Sequence, residues 1–304
     1  MARSGLVDVV VVSYQSAGEI RACVLPLAGA SDIEVTVVDN ASTDGSLACV
    51  DDLPVRAVGL GENGGFARGC NVGWRTGSAP SVLFLNPDAR IEPGSIERLI
   101  GAIGAHPSIA AVAPRLLDGT GGLAFSQRRF PRLRSTFGQA LFLHRLLPKA
   151  RWADEVERDA SRYARPCSPE WVSGACLLVR RAVLEQLNGF DEGFFLYCED
   201  ADLCKRIRDR GYDIRFVPDA VCRHSGGASA PRSALLPVLA ASRVRYARKH
   251  RRPLAARLEQ LGVALGAASH FAVGRGGKAA RVGHAASFRK ALGRSQAGTR
   301  ATTA

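Results

Sequence analysis

Apolar positions in the first 117 residues fall in short blocks separated by turn residues. VDVVVVS (7–13) is a continuous β-branched run, the pattern of a strand covered on both faces of a parallel sheet, and a helix is expected after it. IEVTVVD (33–39), VRAVGL (55–60), VLFLN (82–86) and Ile109 to Leu117 repeat the pattern. Helical spacing intervenes in a short stretch from Asp44 and Gly45, from Phe66 to Arg75, and from Pro93 to His106. Strand and helix in alternation predict an α/β fold with a mostly parallel central sheet flanked by helices.

Periodicity fades between Asp118 and Pro169, where Arg128, Arg129, Arg132 and Arg134 mix with Phe125, Phe130 and Phe137. It returns as a strand from Trp171 to Arg181, a helix to Asn188, a helix from Asp200 to Arg210 and a strand from Asp213 to Val217. Further on, Leu254, Leu258, Leu261 and Leu265 share one helical face. Beyond Gly274 the Gly, Ala and Arg content reads as disorder. The expected organisation is a core domain over 1–228, divided into halves 1–117 and 118–228. A helical, membrane-proximal extension over 229–273 and a basic, disordered tail over 274–304 follow it.

Charge adds a partner to this picture. The chain of 304 residues carries a net +13, yet residues 223 to 304 hold 16 Lys or Arg against the single acid Glu259. A near-neutral body with a basic tail suits an anionic surface, and the cytoplasmic leaflet of a membrane is the expected one. Nucleic acid is the rival, but no recognition motif accompanies the charge and the tail offers only Tyr246, Phe271 and Phe288 for stacking. No apolar run reaches the roughly 20 residues of a membrane span, and Val7 to Val12 is too short for an export signal. Eight cysteines without a CxxC pair read as reduced small hydrophobes. A cytoplasmic protein held peripherally at the inner face of the cell membrane is therefore expected.

Ligands of open parallel sheets bind beyond the carboxyl ends of the strands. Ser13, Asp39 and Asp88 lie at or just after such ends, and ENGGFARG (62–69) follows the third strand. Singly, each is explained as a turn residue; on one rim together they suggest a site. A carboxylate such as Asp88 suits a divalent cation bridging to a diphosphate, and an imidazole at His224 shifts the preference from Mg2+ toward Mn2+. Glu199 and Asp200 follow the aromatic stretch Phe194, Phe195 and Tyr197. Asp200 can cap the next helix, and it can also serve as a base.

The strings VVSYQS, VVDNASTDGS, NGGFARGCNVGW, FLNPDARI, WVSGACLLVRR and GFDEGFFLYCEDADLCKRIRDRGY, in that order over residues 6 to 228, resemble family 2 glycosyltransferases of the GT-A fold, in their bacterial rhamnosyltransferase-like branch. The resemblance implies a metal-dependent, inverting transferase that moves a sugar from a nucleotide-sugar donor, dTDP-rhamnose in that branch, to a polyprenyl-diphosphate-linked or other glycan acceptor in cell-wall or surface-polysaccharide synthesis. UDP-galactofuranose or a UDP-hexose is the alternative donor. By analogy Asp200 is the general base with Glu199 beside it. Ser13, Asp39, Asn63, Gly65, Asn86 and Gly174 face the donor, Asp88 and His224 hold Mn2+ or Mg2+, and Trp171, Phe195 and Tyr197 meet the acceptor. The motif after the fourth strand departs from the family's two-aspartate form, reading Asn86-Pro87-Asp88. A nucleotidyltransferase would want a basic glycine-rich loop after the first strand, which VVSYQSAGE lacks.

Overall fold

The computed structural model describes residues 6–147, 150–226, 231–274 and 277–293. The chain begins β1 (Val7–Ser13), α1 (Ile20–Val24), β2 (Ile33–Asp39), β3 (Arg56–Gly59), α2 (Phe66–Trp74), β4 (Ser81–Leu85), β5 (Ala89–Ile91), α3 (Pro93–Gly104) and β6 (Ile109–Leu117). It continues through β7 (Leu123–Ala124), β8 (Gln127–Arg128), α4 (Leu133–Ala140), α5 (Leu143–Leu146), β9 (Trp171–Val172), β10 (Cys176–Arg180), α6 (Arg181–Leu187), α7 (Glu199–Asp209) and β11 (Asp213–His224). Three helices close it, α8 (Arg232–His250), α9 (Pro253–Val273) and α10 (Gly277–Ala291). The stretch after Asp44 and Gly45 forms only a 3-10 turn, Ala48–Val50.

Two compact units emerge, one from residues 1–130 with 156–229, the other from 131–155 with 230–304. The first carries the sheet, in the order β3-β2-β1-β4-β10-β6-β11-β5 with β7 beside β6. The strands β3, β2, β1 and β4 are parallel, as expected. Beyond them β10 runs antiparallel to both β4 and β6, β11 is parallel to β6, and β5 is antiparallel on β11. The sheet is thus mixed in its second half. A strand buried on both faces carries the same apolar run in either direction, so the pattern that locates β10 does not orient it.

Period-two alternation builds one core on each face. Val7, Val9 and Val11 of β1 pack with Ile20, Leu27, Ile96 and Leu99. Val10 and Val12 pack with Trp74, Leu184, Leu203 and Ile207. Each large side chain fully buried there contributes about 1.5–3 kcal/mol. Asp8, the charged residue within β1, is buried and paired with Arg181.

The second unit is helical. Its α9 buries Ala256, Glu259, Gly262, Ala264 and Ala267, and the Glu259 carboxylate meets the Thr136 hydroxyl, Arg243 and Arg251. Two expectations change here. Residues 131–155, assigned above to the 118–228 half, cluster with the C-terminal helices. Residues 277–291, assigned to a disordered tail, form α10. Small residues there make a packing surface: Gly283 and Ser287 are buried, and a Cβ on Gly283 would lie 2.3 Å from the Ser233 carbonyl oxygen of α8. The expected tail over 294–304 lies outside the described residues.

Candidate active site

The carboxyl ends of β2, β1 and β4 lie side by side, with Ser13 opposite Asp39 and Val11 opposite Leu85. Asp39 is buried and closes its own turn, its two carboxylate oxygens accepting the Ser42 N–H at 2.8 Å and the Ser42 hydroxyl at 2.6 Å. Ser13, expected to face the donor, is fully buried and its hydroxyl has no partner. Its carbonyl oxygen accepts the Asn40 N–H at 2.8 Å, so Ser13 ties two strand ends together and its side chain presents nothing to solvent.

The sheet topology joins Asp88 to His224. Strand β11 does not stop at Val217 but passes an irregularity and continues, pairing Cys222, Arg223 and His224 with Ile91, Arg90 and Ala89 of β5. His224 Nε2 therefore lies 3.2 Å from Asp88 Oδ1 and 3.2 Å from the Asn86 side-chain nitrogen. One ring nitrogen cannot serve both as drawn: protonated it donates to Asp88, and bare it accepts from Asn86. Asp88 Oδ2 accepts the Gly226 N–H at 2.9 Å. Burial pushes the Asp88 carboxyl up, but the hydrogen bond and charge of His224 together with backbone hydrogen bonds, that of Gly226 among them, hold the group below its ordinary value. A carboxylate oxygen and an imidazole nitrogen converging at this distance fit a divalent cation whose remaining ligands are phosphate and water oxygens. Among the described residues, no cluster of three or more His, Cys, Asp or Glu side chains could hold a metal without such help.

The acid pair occupies the first turn of α7. Tyr197 and Cys198 precede it in left-handed conformations, φ 69° and 64°, which non-glycine residues adopt at a cost of about 1–3 kcal/mol each and which cluster at functional sites. Glu199 is 5% exposed and its Oε2 has no partner. Burial first, then the charges of Asp200 and Asp202, push its carboxyl well above the usual range. Asp200 is half-buried. Its Oδ2 accepts the Gly174 N–H at 3.0 Å and its Oδ1 the Ala201 N–H at 2.8 Å. Burial raises its carboxyl too, against the pull of these bonds and of Arg128.

Backbone contacts link the two clusters. The Asn86 N–H donates to the Ala175 carbonyl oxygen at 3.0 Å, and the neighbouring Gly174 holds Asp200. From the other side, Asn40 Nδ2 donates to the Gly65 carbonyl oxygen at 3.2 Å, and the Phe66 N–H donates to that of Phe195 at 2.8 Å. Gly65 has φ 87°, and a Cβ there would lie 2.3 Å from the Phe195 carbonyl oxygen. Asn63 Oδ1 accepts the Gly65 N–H at 3.0 Å and sets this turn. Phe195 is exposed. Trp171 is half-buried, its Nε1 donating to the Arg129 carbonyl oxygen, and the Arg128 guanidinium stands 5.5 Å from its ring centre. Sequence reasoning gave Arg128 no role: its only signal was charge within a segment lacking periodicity, and β8 pairing with β9 sets it opposite Trp171, from where its charge lowers the Asp200 carboxyl.

This parallel-to-mixed sheet, with two acid clusters on the carboxyl rim, defines a GT-A-type glycosyltransferase. The sequence pattern of Glycosyl transferase family 2 matches residues 8–187, and that of Glycosyl transferase family group 2 matches residues 145–251. The chain belongs to glycosyl transferase family 2 and is rhamnosyltransferase-like within it. It is 32% identical over 243 residues to the N-acetylglucosaminyl-diphospho-decaprenol L-rhamnosyltransferase of Mycobacterium tuberculosis, covering 75% of this chain and 78% of that one. Similarity to the rhamnosyltransferase WbbL of Escherichia coli is 28% over 141 residues, 45% of this chain and 49% of that one. Among solved structures, the mannosyltransferase PcManGT of Pyrobaculum calidifontis, in complex with GDP-Man and Mn2+, shares the fold at TM-score 0.55 and 21% identity, over 96% of this chain and 87% of that one. GalNAc-T7 with UDP, GalNAc and Mn2+ shares it at TM-score 0.56 and 12% identity, over 82% and 51%.

Proposed function

We propose that the chain transfers L-rhamnose from dTDP-rhamnose, with inversion, to a polyprenyl-diphosphate-linked glycan in cell-wall or surface-polysaccharide synthesis. The observation that carries the reaction type is the Asp200 carboxylate. It is fixed by two backbone N–H groups, keeps lone pairs free, and is tied through Gly174, Ala175 and Asn86 to the Asp88–His224 pair. The relative from M. tuberculosis supports the donor sugar and the lipid-linked acceptor, since its name specifies both rhamnosyl transfer and a diphospho-decaprenol substrate.

In this reading the donor lies along the rim, with Asp39 shaping the site for the base and Asn63, Gly65 and Asn86 lining the path to the diphosphate. Asp88 and His224 would hold Mn2+ or Mg2+. The bound cation supplies charge neutralisation to the leaving diphosphate. Asp200 takes the proton from an acceptor hydroxyl as its oxygen bonds to the anomeric carbon. The bond from that carbon to the diphosphate oxygen breaks, its electron pair leaving with the nucleotide. Burial and the charges of Asp200 and Asp202 push the Glu199 carboxyl well above its usual range, which favours the neutral form there and leaves Asp200 to act as the base. Trp171, Phe195 and Tyr197 form the acceptor side and limit water.

The test is transfer by the purified chain to a synthetic polyprenyl-diphosphate-linked acceptor with Mn2+, offering dTDP-rhamnose, UDP-galactofuranose and UDP-hexoses separately. Rhamnosyl product of inverted anomeric configuration is expected from dTDP-rhamnose alone. Product from a UDP-sugar and none from dTDP-rhamnose would overturn the donor assignment; a retained configuration would overturn the mechanism.

A further inference from the structure

The leucine stripe of α9 does not form the core of the second unit. Leu254, Leu258, Leu261 and Leu265 are 71%, 39%, 54% and 38% exposed, while the opposite side of the helix is buried through Ala256, Glu259 and Ala267. An amphipathic helix in water ordinarily turns its leucines inward and its small residues outward. Here the order is reversed. Nor is the stripe alone, since among the described residues all exposed large hydrophobics except Leu6, Leu25 and Phe195 belong to this unit. Phe271 and Phe288 line an open, nearly wholly apolar hollow of about 330 Å³ between α9 and α10, with Arg289 beside them.

Charge follows the same division. The second unit holds 20 Lys or Arg against Asp154, Glu155 and Glu259, a net +17, which leaves about −4 on the rest of the chain. Glu155 and Glu259 are buried and paired with Arg243 and Arg251, so they do not offset the outer charge. Arg252, Arg257, Lys278, Arg281, Arg289 and Lys290 are exposed. Exposed leucines on a unit with this many exposed cations match an anionic lipid headgroup layer, in which apolar side chains reach the acyl boundary and cations meet phosphate. No helix among the described residues is long and apolar enough to cross a membrane, so contact at the interface is the form that this surface allows.

We infer that the α9 leucine stripe, with the basic residues around it, is a docking surface for an anionic lipid bilayer. This rests on the proposed function only in that a lipid-linked acceptor gives the docking a purpose; the surface itself is read from exposure and charge. The stripe supplies depth and the cations supply selectivity for the anionic headgroup.

Co-sedimentation of the full chain with phosphatidylcholine vesicles, with and without phosphatidylglycerol, at low and high salt, tests it. The parent is expected to prefer anionic vesicles and to lose that preference as salt rises. Replacing Leu254, Leu258, Leu261 and Leu265 by Ser should lower partitioning about tenfold or more at every salt concentration, with Tm and sedimentation coefficient unchanged. Combining Arg257→Gln, Lys278→Gln and Arg281→Gln should lower only the salt-sensitive part. The inference is overturned if the parent binds neither vesicle, if the serine variant partitions like the parent, or if the serine variant turns a dimer into a monomer, which would make a second copy the occupant. Transfer to a short soluble acceptor, measured alongside, reports on the proposed reaction separately: its absence leaves the partitioning result standing.

Discussion

Replacing Asp200 by Asn removes a base and also disturbs a hydrogen-bonding pattern, and the two effects differ in size. Both carboxylate oxygens accept a backbone N–H, from Gly174 and from Ala201. An amide has one acceptor oxygen, so its NH2 must face one of those donors. Leaving a buried N–H unpaired costs about 1–3 kcal/mol. The substitution also removes a carboxylate whose ionisation is opposed by burial, which offsets part of that cost. Net stability should therefore move by no more than about 2 kcal/mol. Loss of a general base costs about 10²–10⁴ in rate, or about 3–5 kcal/mol in the barrier, so catalysis falls by more than the fold loosens. Single-turnover transfer should drop over that range while the Kd for dTDP-rhamnose, by calorimetry, stays within about threefold of the parent. Turnover within about threefold of the parent would refute the assignment and return Asp200 to helix capping.

Because burial raises the Asp200 carboxyl while Arg128 lowers it, the acid limb of the rate profile should lie above the ordinary aspartate value of about 3.9. Arg128→Gln should move it to still higher pH, and an unmoved limb would remove Arg128 from the site. Glu199 holds its proton in the fold to higher pH than in the unfolded chain, so folding takes up a proton above about pH 4.3 and stability declines as pH rises through the folded value. Glu199→Gln should therefore melt above the parent at pH 7.5, with the difference vanishing below about pH 4, as thermal scans across pH can check. Asp88→Ala should abolish Mn2+-dependent donor binding and His224→Ala should weaken it or change which metal works; calorimetry with Mn2+, Mg2+ and chelator reads this, and parental binding by Asp88→Ala would sink the metal assignment. Gly65→Ala places a methyl 2.3 Å from the Phe195 carbonyl oxygen at φ 87°, and should cost about 2–5 kcal/mol in urea unfolding by adding overpacking to backbone strain.

The N-terminal half of the sheet was legible because β1 and β2 are rich in β-branched residues and β4 is a short apolar block between turn residues, and β1 and β2 pair residue for residue. The direction of β10 was not legible, nor was the continuation of β11 past Pro218. The expected strand ended at Val217, and the structure instead passes Pro218 in an irregularity before pairing resumes. That continuation carries His224 to Asp88, so the pairing of the two was visible as chemistry but not as geometry. Asp200 could be picked out by its aromatic neighbours, whereas Gly174, 26 positions away, became its partner only through the fold. Glycine and alanine in α10 misled for a definite reason: composition cannot separate a loose chain from helices packed closely through small residues, and only the contact of Gly283 with Ser233 decides it.

The division of charge bears on the chemistry as much as on the partner. The unit that carries the site has a slight negative balance, although the proposed donor brings a diphosphate. Helix α7 opens with Glu199, Asp200 and Asp202, which adds to the mismatch at the proposed base. Local features reduce it. Asp202 is held by Arg206, burial pushes the Glu199 carboxyl up and so opposes its charge, and the charge of Arg128 acts on Asp200, the proposed base. Where the diphosphate is proposed to lie, Asp88 adds another negative group. A divalent cation, which Asp88 and His224 would hold in the proposed reaction, would supply the missing positive charge. The proposed metal site thus draws support from charge balance as well as from the 3.2 Å separation of the pair.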